Sequence, residues 1–204
     1  MNKKLSFLWL KGASKQMKIA VLAVQGAFIE HEQMLSCLGA EWFEIRKKED
    51  LLQEFDGLIL PGGESTVMGK LLHELTLFSD LQKRIKEGLP VLGTCAGLIL
   101  LAEKLSNDEN AYFKTCPITV KRNAYGRQLG SFFTEGYVEP IGKIPMAFIR
   151  APFVEQIGKD VEVIARVNEK IVGVKYKNQI GVSFHPEVTK CTKLHEYFLD
   201  LCQE

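Results

Sequence analysis

The sequence predicts an α/β protein: a three-layer sandwich with a mostly parallel central sheet and a small antiparallel annex. Three observations lead there. Continuous apolar runs at residues 19–24 (IAVLAV) and 57–60 (GLIL) have the composition of strands buried on both faces. Amphipathic stretches separate these runs, and that β-α-β-α alternation calls for a parallel sheet with right-handed crossovers. From Thr119 the pattern changes, and short strands follow one another between Gly, Pro and Asn turns up to a last helix.

Taken in order, strand 19–24 leads into a helix on which Phe28, His31, Leu35 and Leu38 recur at helical spacing, stopped by Gly39. Strands follow at 42–45 and 57–60, then the turn Pro61-Gly62-Gly63 and helical segments at 66–72 and 77–87. A short strand at 91–93 feeds a helix over 96–105. Strands of the annex are expected at 119–122, 131–138, 146–149, 161–167, 170–176 and 179–184. The last helix carries Leu194, Tyr197, Phe198 and Leu201, an i, i+3, i+4, i+7 stripe that should dock on the core. No repeat, low-complexity tract or linker interrupts residues 17–204, so one domain is expected there. Residues 1–16 are basic around a short apolar run and are expected to be a leader or dispensable extension ahead of Met17.

Composition narrows the function classes. The 204 residues are 46% hydrophobic and 25% charged with a net charge of +1, so no global field points to nucleic acid or a membrane surface. No stretch reaches the length needed to span a bilayer. Five cysteines, at 37, 95, 116, 191 and 202, form no CxxC pair. An odd, unpaired set argues against a disulfide framework and for a reducing, cytoplasmic setting. Cys191 and His195 share a helical face, but no second ligand pair accompanies them, so no metal and no cofactor is expected. Cys37, Cys191 and Cys202 read as small buried hydrophobes.

Three motifs carry chemistry, each just after a predicted strand. Gly93-Thr94-Cys95-Ala96-Gly97 lies between strand and helix, the context of a nucleophile elbow, where flanking glycines permit a tight strained turn. The helix dipole there favours a thiolate. Alone, such a cysteine is as consistent with packing as with catalysis. In Phe184-His185-Pro186-Glu187, residues i and i+2 of an extended chain project to one side, so Glu187 can orient the His185 imidazole. Without a nucleophile beside it, that histidine reads first as an ordinary surface or core residue at a strand end. Pro61-Gly62-Gly63-Glu64-Ser65 is a candidate oxyanion loop together with the amide of Ala96, or simply a turn with Ser65 or Thr66 capping the next helix. Functional groups gather at the carboxyl ends of strands in a parallel sheet, so the motifs support one another.

This combination resembles the class I (triad) glutamine amidotransferases, which have a flavodoxin-like α/β fold. Ala23-Val24-Gln25-Gly26-Ala27 with Glu30-His31, Arg122-Asn123-Ala124-Tyr125-Gly126-Arg127-Gln128 and Phe148-Ile149-Arg150-Ala151-Pro152 narrow the resemblance to the glutaminase subunits of pyridoxal 5′-phosphate synthase. The resemblance runs from about Met17 to the C-terminus. It implies a Cys95, His185 and Glu187 triad that hydrolyses L-glutamine through a γ-glutamyl thioester, with Gly63 and Ala96 as the oxyanion hole. It further implies that Gly63, Glu64, Ser65, Arg122, Ile149 and Arg150 hold glutamine. The implied partner is a (β/α)8-barrel synthase subunit in a hetero-oligomer, fed with ammonia through a channel, with Gln25 a candidate for coupling the two. Residues 107–117 (NDENAYFKTCP) depart from the pattern by lacking a Leu-Gly turn. Competing readings are an amidotransferase subunit for another pathway, such as histidine or anthranilate biosynthesis, and a catalytically silent scaffold.

Overall fold

The computed structural model describes residues 17–122 and 131–203. Residues 1–16 and the 123–128 part of the arginine-flanked motif therefore lie outside the described residues. Strand β1 (Lys18–Leu22) leads through a loop to α1 (Phe28–Cys37), and β2 (Glu41–Ile45) and β3 (Gly57–Leu60) follow. Helices α2 (Ser65–Glu74) and α3 (Phe78–Lys86) then precede β4 (Val91–Thr94) and α4 (Ala96–Leu101). The second half runs β5 (Ala102–Leu105), β6 (Cys116–Lys121), β7 (Ser131–Val138), β8 (Gly142–Ile149) and β9 (Phe153–Ile157). It closes with β10 (Glu162–Val167), β11 (Lys170–Tyr176), β12 (Gln179–Val182) and α5 (Lys193–Leu201).

Five strands in the order β2-β1-β3-β4-β12 pair in parallel, although β12 comes last in the chain. The alternation of side chains along each strand then dictates the layers. Ala20, Leu22, Leu58, Leu60 and Val91 face a core built with Met68 and Leu72 of α2, Leu81 and Ile85 of α3, and Leu98 to Leu101 of α4. Ile19, Val21, Ile59, Leu92, Ile180 and Val182 face the other way, onto Leu35 of α1 and Leu194, Phe198 and Leu201 of α5. The stripe predicted on the last helix docks as expected: Leu194, Phe198 and Leu201 are buried. Two helical layers thus sandwich one sheet.

Beyond β12 the sheet turns antiparallel through β11, β10, β7 and β8. A branch leaves β11 through β9 to β6, and β5 pairs in parallel with β6. Two elements differ from expectation. The helix expected over 96–105 ends at Leu101, and Ala102–Leu105 is a strand registered on Cys116 to Val120. Ala, Glu, Lys and Leu favour helix, but pairing with β6 outweighs that weak preference. Strand β9 was not anticipated at all; its pairing partners are distant in sequence.

The cysteines also correct the sequence reading in part. All five are free thiols, but Cys37 is exposed and Cys191 and Cys202 are only partly buried. Cys191 precedes α5 rather than sharing a face of it with His195. Among the described residues no helix is long and apolar enough to cross a membrane, and no cluster of potential metal ligands occurs.

Candidate active site

Strand order explains why the three motifs meet. β1, β3, β4 and β12 are successive neighbours, with Leu60 beside Gly93 and Thr94 beside Val182. The segments leaving their carboxyl ends therefore stand in a row: Gln25 and Gly26, then Gly62 to Glu64, then Cys95, then His185. This is the crevice where open α/β sheets place their ligands.

Cys95 sits at φ 47° and ψ −96° between β4 and α4, a backbone conformation that L side chains rarely adopt. Its amide donates to Val182 O at 2.8 Å, which pins the turn to β12. The glycines on either side permit the close approach. A Cβ on Gly97 would lie 2.0 Å from the Leu60 carbonyl oxygen, and one on Gly93 2.8 Å from the backbone of Gly97. Helix α4 has only six residues, so what it offers a substrate is its first amides, Ala96 among them, more than a long dipole. The Cys95 Sγ lies 3.9 Å from the carbonyl oxygen of Ile149, at the end of β8.

His185 is buried and its backbone N–H donates to Ala147 O at 2.8 Å, which draws β8 to the segment after β12. The rings of Phe132, Phe148 and Phe184 pack in sequence beneath it, with centroids 4.6 and 5.8 Å apart. Glu187 Oε1 accepts from His185 Nδ1 at 2.6 Å. The pairing is the expected one, but Pro186–Val188 is a 3-10 turn and not extended chain, so the turn, not strand alternation, brings the carboxylate back to the ring. That leaves Nε2 as the nitrogen for the Cys95 sulfur, with which His185 is hydrogen-bonded. Burial alone would push the imidazole down; the hydrogen bonds and charges of Cys95 and Glu187 outweigh it and carry the group up to about 10. The surroundings of His185 thus favour its protonated form.

The Pro61 to Ser65 loop covers the dyad. Gly62 lies against the imidazole so closely that a Cβ there would be 2.2 Å from His185 Cε1. The Gly62 carbonyl accepts from Ala27 N–H at 2.9 Å, and Gln25 Oε1 accepts from Glu64 N–H at 2.8 Å. A trans peptide points its C=O and N–H oppositely, so tethering Gly62 O fixes the direction of the Gly63 N–H. Gly26, at φ 101°, makes the tether possible, since a Cβ there would meet Gly62 O at 2.0 Å. Helix α2 begins at Ser65, which is buried, with Glu64 rather than Ser65 or Thr66 at its N-cap.

Arg122 reaches this loop from the end of β6. Its guanidinium donates to Glu64 Oε1 at 3.1 Å, to Thr66 Oγ1 at 3.0 Å and to Asp108 Oδ2 at 2.6 Å. Asp108 belongs to the 107–117 stretch that departs from the expected pattern. That stretch is anchored at Phe113, which is fully buried and stacks on Phe78 with centroids 5.2 Å apart, while Asn107, Glu109 and Asn110 are exposed. Ile149 and Arg150 are exposed at the mouth, Arg150 at φ 44°. Sequence reasoning gave no site role to Asp108, Thr94, His31 or His195: His31 stood only on the helical stripe and in the family motif, Thr94 only within the elbow, and His195 only beside Cys191 as a discounted metal ligand.

Comparison with known proteins agrees with this geometry. The chain is 61% identical to the pyridoxal 5′-phosphate synthase subunit PdxT of Desulfitobacterium hafniense, over 90% of this chain and 92% of that one. It is 52% identical to the protein of the same name from Haemophilus influenzae, over 92% of this chain and 99% of that one. A solved glutamine amidotransferase superposes with a TM-score of 0.86 at 42% identity, covering 91% of this chain and 99% of the other. A Thermotoga maritima glutamine amidotransferase, 17% identical, shares the fold at a TM-score of 0.63, covering 93% of this chain and 85% of the other. A cysteine elbow, a histidine–glutamate pair and a glycine loop on one sheet edge are joined by a family match over residues 21–204, and the chain belongs to the SNO glutamine amidotransferase family.

Proposed function

We propose that this chain is the glutaminase subunit of a pyridoxal 5′-phosphate synthase. It would hydrolyse L-glutamine to L-glutamate and ammonia and pass the ammonia through a channel to a (β/α)8-barrel synthase subunit. The observation that carries the chemistry is the buried chain of contacts from Cys95 through His185 to Glu187, roofed by the Gly62–Gly63 loop. The relatives' names support a role as one subunit of that synthase; the barrel form of the partner rests on the family resemblance. Five unpaired thiols are in keeping with a reducing cytoplasm.

In this mechanism the sulfur of Cys95, its proton passed to His185, attacks the side-chain carbonyl carbon of glutamine. The C–S bond forms as the carbonyl oxygen takes the negative charge, facing the amides of Gly63 and Ala96. Collapse of the intermediate breaks the C–N bond, and His185 gives its proton to the departing nitrogen as ammonia. Neutral His185 then takes a proton from water, whose oxygen attacks the thioester; the C–S bond breaks and glutamate leaves. Glu187 keeps His185 in the Nδ1–H form throughout.

The substrate's zwitterionic end meets opposite charges at the mouth. Arg122 and Arg150 suit the α-carboxylate, and Glu64, half-exposed beside Arg122, suits the α-ammonium. Gly63, Ser65 and Ile149 would complete the glutamine site, as the family resemblance implies. Gln25, whose Oε1 accepts from Glu64 N–H in the glycine loop, would couple docking of the synthase to the oxyanion hole.

The test is glutamate release by the purified chain, alone and with a pyridoxal 5′-phosphate synthase subunit, with Cys95→Ser as the blank. Release that rises on adding the synthase and vanishes in the variant is expected. Cys95-dependent release that ignores this synthase would move the chain to another pathway, and no Cys95-dependent release would leave a silent scaffold.

A further inference from the structure

Behind the triad lies a pair of histidines to which the mechanism above assigns no task. His31 on α1 and His195 on α5 are both completely buried, although 164 positions separate them in sequence. His31 Nδ1 is 2.9 Å from His195 Nε2. His31 Nε2 is 3.2 Å from Thr94 Oγ1 and 3.5 Å from Oε2 of Glu187. That carboxylate oxygen is buried and without a hydrogen-bond partner among the described residues, its twin Oε1 being taken by His185. A buried carboxylate oxygen lacking a donor is costly, and the ring edge of His31 faces it.

The positions of the protons follow from which atoms have partners. Between His31 Nδ1 and His195 Nε2, one nitrogen donates and the other accepts. His195 Nδ1 is buried with no partner among the described residues. A bare lone pair there is far more tolerable than an orphaned N–H. The His195 proton therefore sits on Nε2 and is given to His31 Nδ1. His31 then carries its own proton on Nε2, where it faces Thr94 Oγ1 and Glu187 Oε2. The reverse assignment would strand an N–H at His195 and turn a lone pair of His31 towards the carboxylate.

Both rings are neutral in this arrangement. Burial, with the charges of His195 and His185 behind it, holds His31 well below its ordinary range, and burial brings His195 down to about 4. Neutrality matters, because a cation beside Glu187 would cancel the negative charge that stabilises imidazolium at His185. A neutral N–H can orient the carboxylate and leave that charge intact.

Resting on the glutaminase reading, we propose that His31, itself set by His195, is a positioning residue for Glu187. Its Nε2–H holds the outer carboxylate oxygen so that the inner one stays on His185 Nδ1. Helix α1 begins three residues after Gln25, so the loop that holds the glycine turn runs directly into the helix that carries His31.

The experiment uses the chain in complex with its synthase subunit and compares wild type, His31→Leu and His31→Gln in steady-state glutamine hydrolysis across pH. His31→Leu removes the donor. Its kcat should fall by about tenfold or more with KM nearly unchanged. The alkaline limb of kcat/KM should move to lower pH, since a Glu187 that swings away no longer sustains the His185 imidazolium. His31→Gln, whose amide nitrogen reaches close to the place of Nε2, should restore most of the rate and the limb. A His31→Leu enzyme with wild-type kcat and alkaline limb overturns the proposal. Should that variant fail to fold, ring-nitrogen NMR of the wild-type chain decides: neutral Nε2–H forms of both histidines from pH 5 to 9 are expected, and an Nδ1–H or imidazolium His31 overturns it. Absence of Cys95-dependent release in the wild type would sink the glutaminase reading, while the NMR result would still judge the hydrogen-bond order.

Discussion

The backbone of Cys95 offers a test in which the usual sign of a mutational effect reverses. At φ 47° and ψ −96° the residue lies outside even the left-handed helical region, so its Cβ is strained against its own backbone. Such strain costs on the order of 1–3 kcal/mol, and the upper end suits a residue with both angles displaced. Cys95→Ala keeps the Cβ and hence the strain; Cys95→Gly removes both. At an unstrained buried position, glycine is the less stable of the two, by about 1 kcal/mol of unfolded-chain entropy and about 0.8 kcal/mol for the lost methyl. Here relief of about 3 kcal/mol should leave the Gly variant ahead by about 1 kcal/mol. That corresponds to roughly 2–4 °C in Tm for a chain of this size. Urea and thermal unfolding of the two variants, both devoid of the sulfur, measure the difference directly. An Ala variant more stable than the Gly variant would mean that the turn holds a Cβ without strain, and the elbow argument would fall.

Three further outcomes are expected. Gly62→Ala places a Cβ 2.2 Å from His185 Cε1, so the ring must shift by about 1 Å and kcat should fall roughly 100-fold; wild-type turnover would show that the loop yields instead. Stability should depend on pH in two opposite senses. The folded pKa of His195 is depressed to about 4, so below about 6.5 the unfolded chain binds the extra proton and stability falls, by on the order of 2 kcal/mol at pH 5. His185, raised to about 10, contributes stability that is full below its unfolded pKa and is lost as pH climbs towards 10. Urea midpoints of wild type and His195→Gln between pH 5 and 7.5 check the first sense, and an unchanged acid slope in the variant would contradict it. Arg122→Lys cannot bridge Asp108 and Glu64 as the guanidinium fork does, so KM for glutamine should rise about tenfold with kcat little altered. A fall in kcat at constant KM would instead assign Arg122 to the chemistry.

Much of this was legible in the residues. β1 and β3 announced themselves as uninterrupted apolar runs because both faces of a central parallel strand are buried. The elbow was legible only in company, because a Gly-flanked cysteine after a strand suits packing as well as catalysis until a histidine–glutamate motif accompanies it. That pair was legible from its close spacing, although a 3-10 turn at Pro186–Val188 and not extended chain makes the contact. β5 was not legible, since Ala-Glu-Lys-Leu is a helical sequence until β6 lies alongside it. Nor was the environment of Arg122, which depends on Asp108 from a segment whose departure from the family pattern looked incidental.

By itself, then, the sequence determined which residues could do chemistry and which runs could be strands, because both rest on neighbours a few positions apart. Only the tertiary structure decided what those residues touch. The order β1-β3-β4-β12 brings Gln25, Gly62, Cys95 and His185 to one edge, and burial between α1 and α5 joins His31 to His195 and turns both neutral. Such pairings are contacts across the fold, set by packing and desolvation, and no periodicity along the chain encodes them.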